Sequence, residues 1–258
     1  MVSLYCESNS ATISGKVASL PEYSHDVYGE GFYYFFVDVK RLSDSFDKIP
    51  VMISERFAPL SEYKIGRDIL IEGQFRSHNQ MTSTKAKLKL MVFARELKLD
   101  YVPGSVPVEY NPDEGLAPPD VSDMNRVELC GFVCKEPVYR KTPFNREIAD
   151  LLIAVNRAYS KSDYIPCIAW GRSARFCSKL IVGDKVRIIG RIQSRVYQKK
   201  LPDGTVEEKV AYELSVIRLE LIREYQNARR LKYEAMRRAE RDENAETEYS
   251  PERKVDNF

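Results

Sequence analysis

Histidine and paired cysteine are nearly missing from this 258-residue chain, which has two histidines and five cysteines and no Cys-x-x-Cys. Zinc centres need closely spaced Cys and His ligands, and disulfide frameworks need an even, regularly spaced set. The expectation is reduced thiols in a cytoplasmic protein, with Cys130 and Cys134 as small core or edge residues of one strand, and with no metal and no cofactor. Long apolar runs are missing too, since nothing approaches the roughly 18 residues of a membrane span. The start, Met1-Val2-Ser3-Leu4-Tyr5-Cys6-Glu7, has neither the basic nor the apolar stretch of a secretory signal. There is no phosphate-cradling Gly-x-x-x-x-Gly-Lys, no Gly-x-Ser-x-Gly and no His-Glu-x-x-His, and His25 and His78 fall at loop-like positions. No enzyme is expected. What is present, 43% hydrophobic and 30% charged residues, is a globular composition sized for one large or two small domains.

Charge is unevenly spread. Residues 1–99 carry a net +1, residues 100–124 a net −6 with no cation at all, and residues 125–222 a net +7. The tail from 223 is balanced, so the whole sums to +2. A basic block beside a neutral one suggests that only one half meets a polyanion.

The acidic stretch is also proline-rich, with Pro103, Pro107, Pro112, Pro118 and Pro119 within it. Proline denies both helix and central strand, so residues 100–124 read as an extended linker. The flanking segments repeat one another. At an offset of 116, Asn9 meets Asn125, Gly15 meets Gly131, Pro21 meets Pro137, Arg41 meets Arg157, Asp47 meets Asp163, and Ile49-Pro50 meets Ile165-Pro166. At an offset of 117, Gly66, Gly73 and Ser77 meet Gly183, Gly190 and Ser194. One backbone path is used twice.

Within each copy the signals are β. Alternation or strand formers mark Thr12–Val17 and Val127–Val133, Phe32–Val39 and Ile148–Val155, then Ile49–Ser54 and Ile165–Trp170. They continue at Ile69–Phe75 and Val186–Ile192, and at Leu88–Ala94 and Val210–Leu219, with a helical stretch near Arg172–Leu180. Five strands with a helix between the third and fourth is the layout of an OB-type barrel. The expectation is an all-β chain: a first OB fold over 1–99, the linker, a second OB fold over 125–221, and a charged helix leading into a disordered tail over 222–258, where Leu221, Tyr225, Ala228, Leu231 and Ala235 recur at helical spacing.

The second copy resembles the bacterial single-stranded DNA-binding protein family. The resemblance rests on Asn125-Arg126-Val127-Glu128-Leu129-Cys130-Gly131, on Pro137-Val138-Tyr139-Arg140, and on Ala154-Val155-Asn156-Arg157. It continues through Ile168-Ala169-Trp170-Gly171-Arg172 and Gly190-Arg191-Ile192-Gln193-Ser194-Arg195-Val196-Tyr197. The resemblance implies a non-sequence-specific binder of single-stranded DNA acting in replication, recombination or repair. It also implies a homodimer restoring four OB folds, and a cytoplasmic, nucleoid-associated place in a bacterium, with no membrane partner. The family's stacking aromatics fall on Tyr159, Tyr164, Trp170 and Tyr197. Phosphate contacts are expected from Arg140, Lys141, Arg157, Lys161, Arg172, Arg191, Arg195, Lys199 and Lys200. Rings for bases and cations for phosphates are what sequence-tolerant binding requires.

The first copy is an internal control. The four ring positions correspond there to Ser43, Lys48, Ser54 and Gln80, so the first barrel is expected to serve dimerisation or partner docking, or to bind the strand weakly through Arg41, Arg67, Arg76 and Lys85. Its aromatic run Phe32–Phe36 reads as core plus subunit interface, with Tyr34 or Phe36 able to stack if they face outward. The chain closes on Pro251-Glu252-Arg253-Lys254-Val255-Asp256-Asn257-Phe258, which lacks the acidic tip by which this family recruits replication and repair proteins. A second reading is therefore a primosome-type OB protein whose main partner is another replication protein.

Overall fold

In a computed structural model, the described residues are 8–41, 43, 45–57, 59–81, 86–101, 124–158, 161–200 and 204–223. The expected linker over 102–123 and the expected helix and tail from 224 onward lie outside them.

Alternating apolar residues and β-branched side chains give twelve strands. The first copy folds as β1 (Asn9–Val17), β2 (Glu22–Val27), β3 (Glu30–Lys40), β4 (Phe46–Ser54), β5 (Asp68–Met81) and β6 (Ala86–Leu99). The second folds as β7 (Asn125–Val133), β8 (Val138–Lys141), β9 (Glu147–Asn156), β10 (Ser162–Trp170), α1 (Gly171–Cys177), β11 (Lys185–Lys200) and β12 (Val206–Leu221). Each copy closes on itself. β1 pairs with both β3 and β5, β3 with β4, β5 with β6, and β6 runs parallel to β4 at Val51↔Val92. The second copy repeats the ring, with β10 parallel to β12 at Cys167↔Leu214. Inside the two barrels sit residues such as Ile13, Phe35, Val51 and Phe75, and Leu129, Ile153, Ile165 and Ile188.

Two details depart from expectation. Each barrel has a short extra strand, β2 or β8, folded back on the outer edge of the next one. Among the described residues helix α1 has no counterpart in the first barrel, where the matching place holds a 3-10 turn at Leu60–Glu62, entered from Pro59. Apolar Ala174 and Cys177 are what α1 buries, whereas the 3-10 turn buries none of its residues.

The repeated glycines have two reasons. Gly66 and Gly183 take positive φ (86° and 91°) in the turn before the fourth barrel strand, where a side chain is strained. Gly73 and Gly190 sit at matching bulges, and a Cβ on either would strike a backbone carbonyl, of Phe93 or Ser215 respectively.

The barrels join through β1 and β7, antiparallel from Asn9↔Leu129 to Ile13↔Asn125, so one twelve-stranded sheet runs through both. Ala11 faces Val127 at the middle, and the offset of 116 interchanges the two end pairs. A pseudo-twofold axis therefore passes through this contact.

Candidate nucleic-acid interface

The seam between the barrels explains several residues that the two copies share. Asp47 of the first barrel accepts from the Ser194 amide (2.6 Å) and hydroxyl (2.7 Å) of the second, while its other oxygen takes Arg41 Nε at 2.8 Å. Asp163 of the second accepts from the Ser77 amide (2.6 Å) and hydroxyl (3.2 Å) of the first, and pairs with Arg157 Nε at 3.1 Å. Arg41 Nη2 also donates to the Ser194 carbonyl at 2.6 Å. Both aspartates are buried, Asp163 completely. Bonding raises the Arg41 pKa against the opposing effect of its partial burial. Within each barrel Asn9 bridges the Phe75 backbone and Asn125 the Ile192 backbone. These repeated polar residues thus hold two barrels in one arrangement. Arg157, expected to meet phosphate, is engaged in this lock.

The remaining candidates lie mostly on the outer face of the second barrel. Side chains alternate along a strand, so Tyr164 and Trp170, six residues apart on β10, share a face. They are 44% and 39% exposed, roughly 20 Å apart along the strand. Trp170 pairs with Ile148, and Ile148 with Arg140 of β8, which puts the cation and the indole in one row about 10 Å apart. Arg140 leans on Asp150 at 3.0 Å. On β11, Arg195 and Tyr197 are exposed and adjacent on one side, with the guanidinium 5.8 Å from the ring centroid. Diagonally across on β12, opposite Gln193, is Glu213, whose carboxyl pKa burial raises; Arg195 pulls it back, Asp150 raises it, and Arg140 lowers it. These five groups therefore belong to one electrostatic neighbourhood.

Other expected contacts are placed less centrally. Lys161, Arg172 and Lys199 are exposed, at the start of β10, the first turn of α1 and the end of β11. Arg191 turns toward the first barrel, where Nη2 donates to the Lys40 carbonyl at 3.3 Å. Tyr159 lies outside the described residues, as does the side chain of Lys200.

Tyr139, Asn145, Arg146, Glu147 and Arg175 were not among the expected site residues. Lys141, Asn145, Arg146, Glu147, Trp170 and Gly171 line a shallow pocket of about 650 Å³ beside the indole. Tyr139, 37% exposed, donates to Glu147 at 2.7 Å, and Arg175 pairs with the other Glu147 oxygen at 3.0 Å. The signal for Arg146 was the turn Thr142-Pro143-Phe144-Asn145, which folds β8 back on β9 and returns the chain to Trp170.

At the matching places of the first barrel, polar groups bond to their own neighbours. Ser54 donates to Glu30, Lys48 lies 3.9 Å from Asp38, and Ser43 and Ser45 share a hydrogen bond of 3.0 Å.

No cluster of metal-ligating side chains occurs among the described residues, and no helix there is long and apolar enough to cross a membrane.

Comparison with known proteins agrees with this geometry. Residues 124–222 match the profile described as "Single-strand binding protein family". "Single-stranded DNA-binding protein 2" of Listeria innocua is 34% identical over 82 residues, covering 29% of this chain and 52% of that protein. "Single-stranded DNA-binding protein A" of Bacillus subtilis is 32% identical over 84 residues, covering 30% and 49%. The chain thus spans about half the length of the curated relatives it matches. The wild-type single-stranded DNA binding protein from Thermus aquaticus superimposes with a TM-score of 0.58 at 19% identity, over 83% of this chain and 92% of that one, a likeness of fold through both barrels. Residues 124–222 thus carry the likeness to the single-strand binding protein family, and the likeness through the first barrel is one of fold alone.

Proposed function

We propose that the protein binds single-stranded DNA without sequence specificity, laying bases on the outer face of the second barrel and protecting the strand during replication, recombination or repair. The observation that carries this reading is the common face of Trp170, Tyr164, Tyr197, Arg140 and Arg195 on a barrel of net charge +7. Rings accept any base and cations any phosphate, which is why such a face binds without reading sequence. The family model matched over residues 124–222, which hold this face, is that of single-strand binding proteins, and relatives named as single-stranded DNA-binding proteins are 32–34% identical to part of the chain. We also propose that two chains pair as a homodimer of four barrels, acting on DNA in a bacterial cytoplasm by binding rather than by catalysis.

The test is anisotropy of labelled oligo-dT, competed by unlabelled single strand of mixed sequence and by duplex. The expected result is tight binding, displaced by any single strand and poorly by duplex. A second reading, a barrel assembly whose main partner is another replication protein, predicts weak binding of every oligonucleotide.

A further inference from the structure

Strand alternation divides the aromatic run of the first barrel. Phe35 is fully buried and Tyr33 packs against the core, while Phe32, Tyr34 and Phe36 stand on the opposite side of β3, partly exposed. Across β4 their partners are Ser54, Met52 and Pro50, and Met52 in turn faces Phe93 on β6. Four rings therefore share the outer face. Tyr34 and Phe36 meet edge to face at 5.5 Å, Phe32 and Phe93 lie 5.8 Å apart, and His25 stacks on Phe32 at 5.2 Å. The Arg76 guanidinium sits 4.1 Å from the Phe93 centroid.

The register shows what stands at the same places in the second barrel. Ile148, Asp150 and Leu152 replace the three β3 rings, and Ser215 replaces Phe93. The first barrel thus lacks rings where the second has them, and has rings where the second has none. The three β3 rings stand on the second barrel strand, one of the two whose outer face binds oligonucleotides in OB folds, and Phe93 stands on the fifth. Arg76 lies close enough to Arg157, Arg95 and the buried Asp163 to feel their charges, so the ring cluster borders the polar seam leading to the second barrel. A polyanion with flat bases fits a ring cluster edged by cations better than a second apolar surface does.

We propose that this face of the first barrel is a second base-stacking surface for single-stranded DNA, with Phe32, Tyr34, Phe36 and Phe93 as its rings and Arg76 at its edge. The proposal rests on the strand-binding reading of the second barrel. With a net charge of only +1 over residues 1–99, this surface holds bases more than phosphates, so its share of the binding is nearly independent of salt.

Trp170 is the only tryptophan, so an indole can be moved. In the full-length chain, Trp170→Phe is combined with Tyr34→Trp, and separately with Phe36→Trp, and each is titrated with long oligo-dT beside the wild type. A melting curve selects a reporter that keeps the wild-type fold. The expected result is quenching in the reporter at a longer oligonucleotide than Trp170 needs in the wild type, and persisting to higher salt. Quenching of Trp170 without quenching of the folded reporter overturns the proposal and leaves the second barrel's role standing. Loss of both signals overturns both. A reporter signal that follows protein concentration without DNA assigns the face to a second copy of the chain and overturns the proposal as well. Photocrosslinking of bromouracil-containing oligonucleotide to the unaltered protein is the independent check. Adducts within 32–36 or at Phe93 support the surface; adducts confined to residues 124–222 overturn it.

Discussion

The two barrels share a backbone and differ in what they set on it. Their closures, bulges and seam contacts correspond one to one, down to Asp47 and Asp163 each gripping a serine of the other barrel. Their outer faces do not. The second barrel carries Trp170, Tyr164 and Tyr197 toward strand ends among arginines, whereas the first carries Phe32, Tyr34, Phe36 and Phe93 at the centre with few cations. Duplicated scaffolds keep the residues that hold them together and vary the ones that face outward, because only the former are fixed by buried bonds.

That division can be broken from the shared side first. Asp163→Asn leaves the partly exposed Arg157 guanidinium without its buried counter-charge, at a cost of at most about 3 kcal/mol, the lower end for fully buried pairs. The expected result is a fall in Tm on the order of 10 °C for a chain of this size, with Asp47→Asn close behind. Unchanged Tm in both would mean that the seam contributes nothing to stability.

Differences between the faces give smaller effects. Trp170→Ala or Tyr197→Ala should each lose about 1–3 kcal/mol of strand affinity, roughly 5- to 150-fold, while Lys48→Ala and Ser54→Ala at the matching first-barrel places should leave affinity within twofold. Anisotropy titration distinguishes them. Arg195→Ala should lower the slope of log affinity against log salt by about 0.7, the share of one phosphate; an unchanged slope would remove Arg195 from the contact.

The smallest effect concerns Glu213. Burial lifts its carboxyl pKa, with Arg195 opposing, so the charged form is disfavoured in the fold. Its contribution to stability is full below the ordinary carboxylate pKa and is lost as pH rises through the raised one. The same protonation removes a negative charge beside Arg195 and Arg140. Strand affinity should therefore rise as pH falls through this range, and Glu213→Gln should tighten binding less than fivefold at neutral pH and flatten that dependence.

Much of this was legible in the sequence. Repeated glycines and prolines marked the turns, and strand periodicity located ten of the twelve strands, but Ile69–Phe75 and Val186–Ile192 stopped six and eight residues short of the ends of β5 and β11, where the exposed hairpins lose their apolar alternation. Both edge strands, Glu22–Val27 and Val138–Lys141, were missed because they are wholly exposed and carry no apolar alternation. The shared Asn, Arg, Asp and Ser residues were visible as repeats, but their purpose was not, since the seam they close joins residues 86 and 147 positions apart. The pairing of Arg157 with Asp163 was hidden for the same reason: sequence shows a cation and not its buried partner. In Phe32–Phe36, alternation separates inward Phe35 from outward neighbours only once strand register is known.

The central claim is that bases come to rest on the second barrel beside Trp170. Its fluorescence, followed during titration of the unaltered chain with oligo-dT at several salt concentrations, reports this directly. The account predicts strong quenching whose affinity falls with salt and which Arg195→Ala together with Arg140→Ala weakens. An indole that stays bright at low salt while oligo-dT is bound, or the absence of any binding, would contradict it.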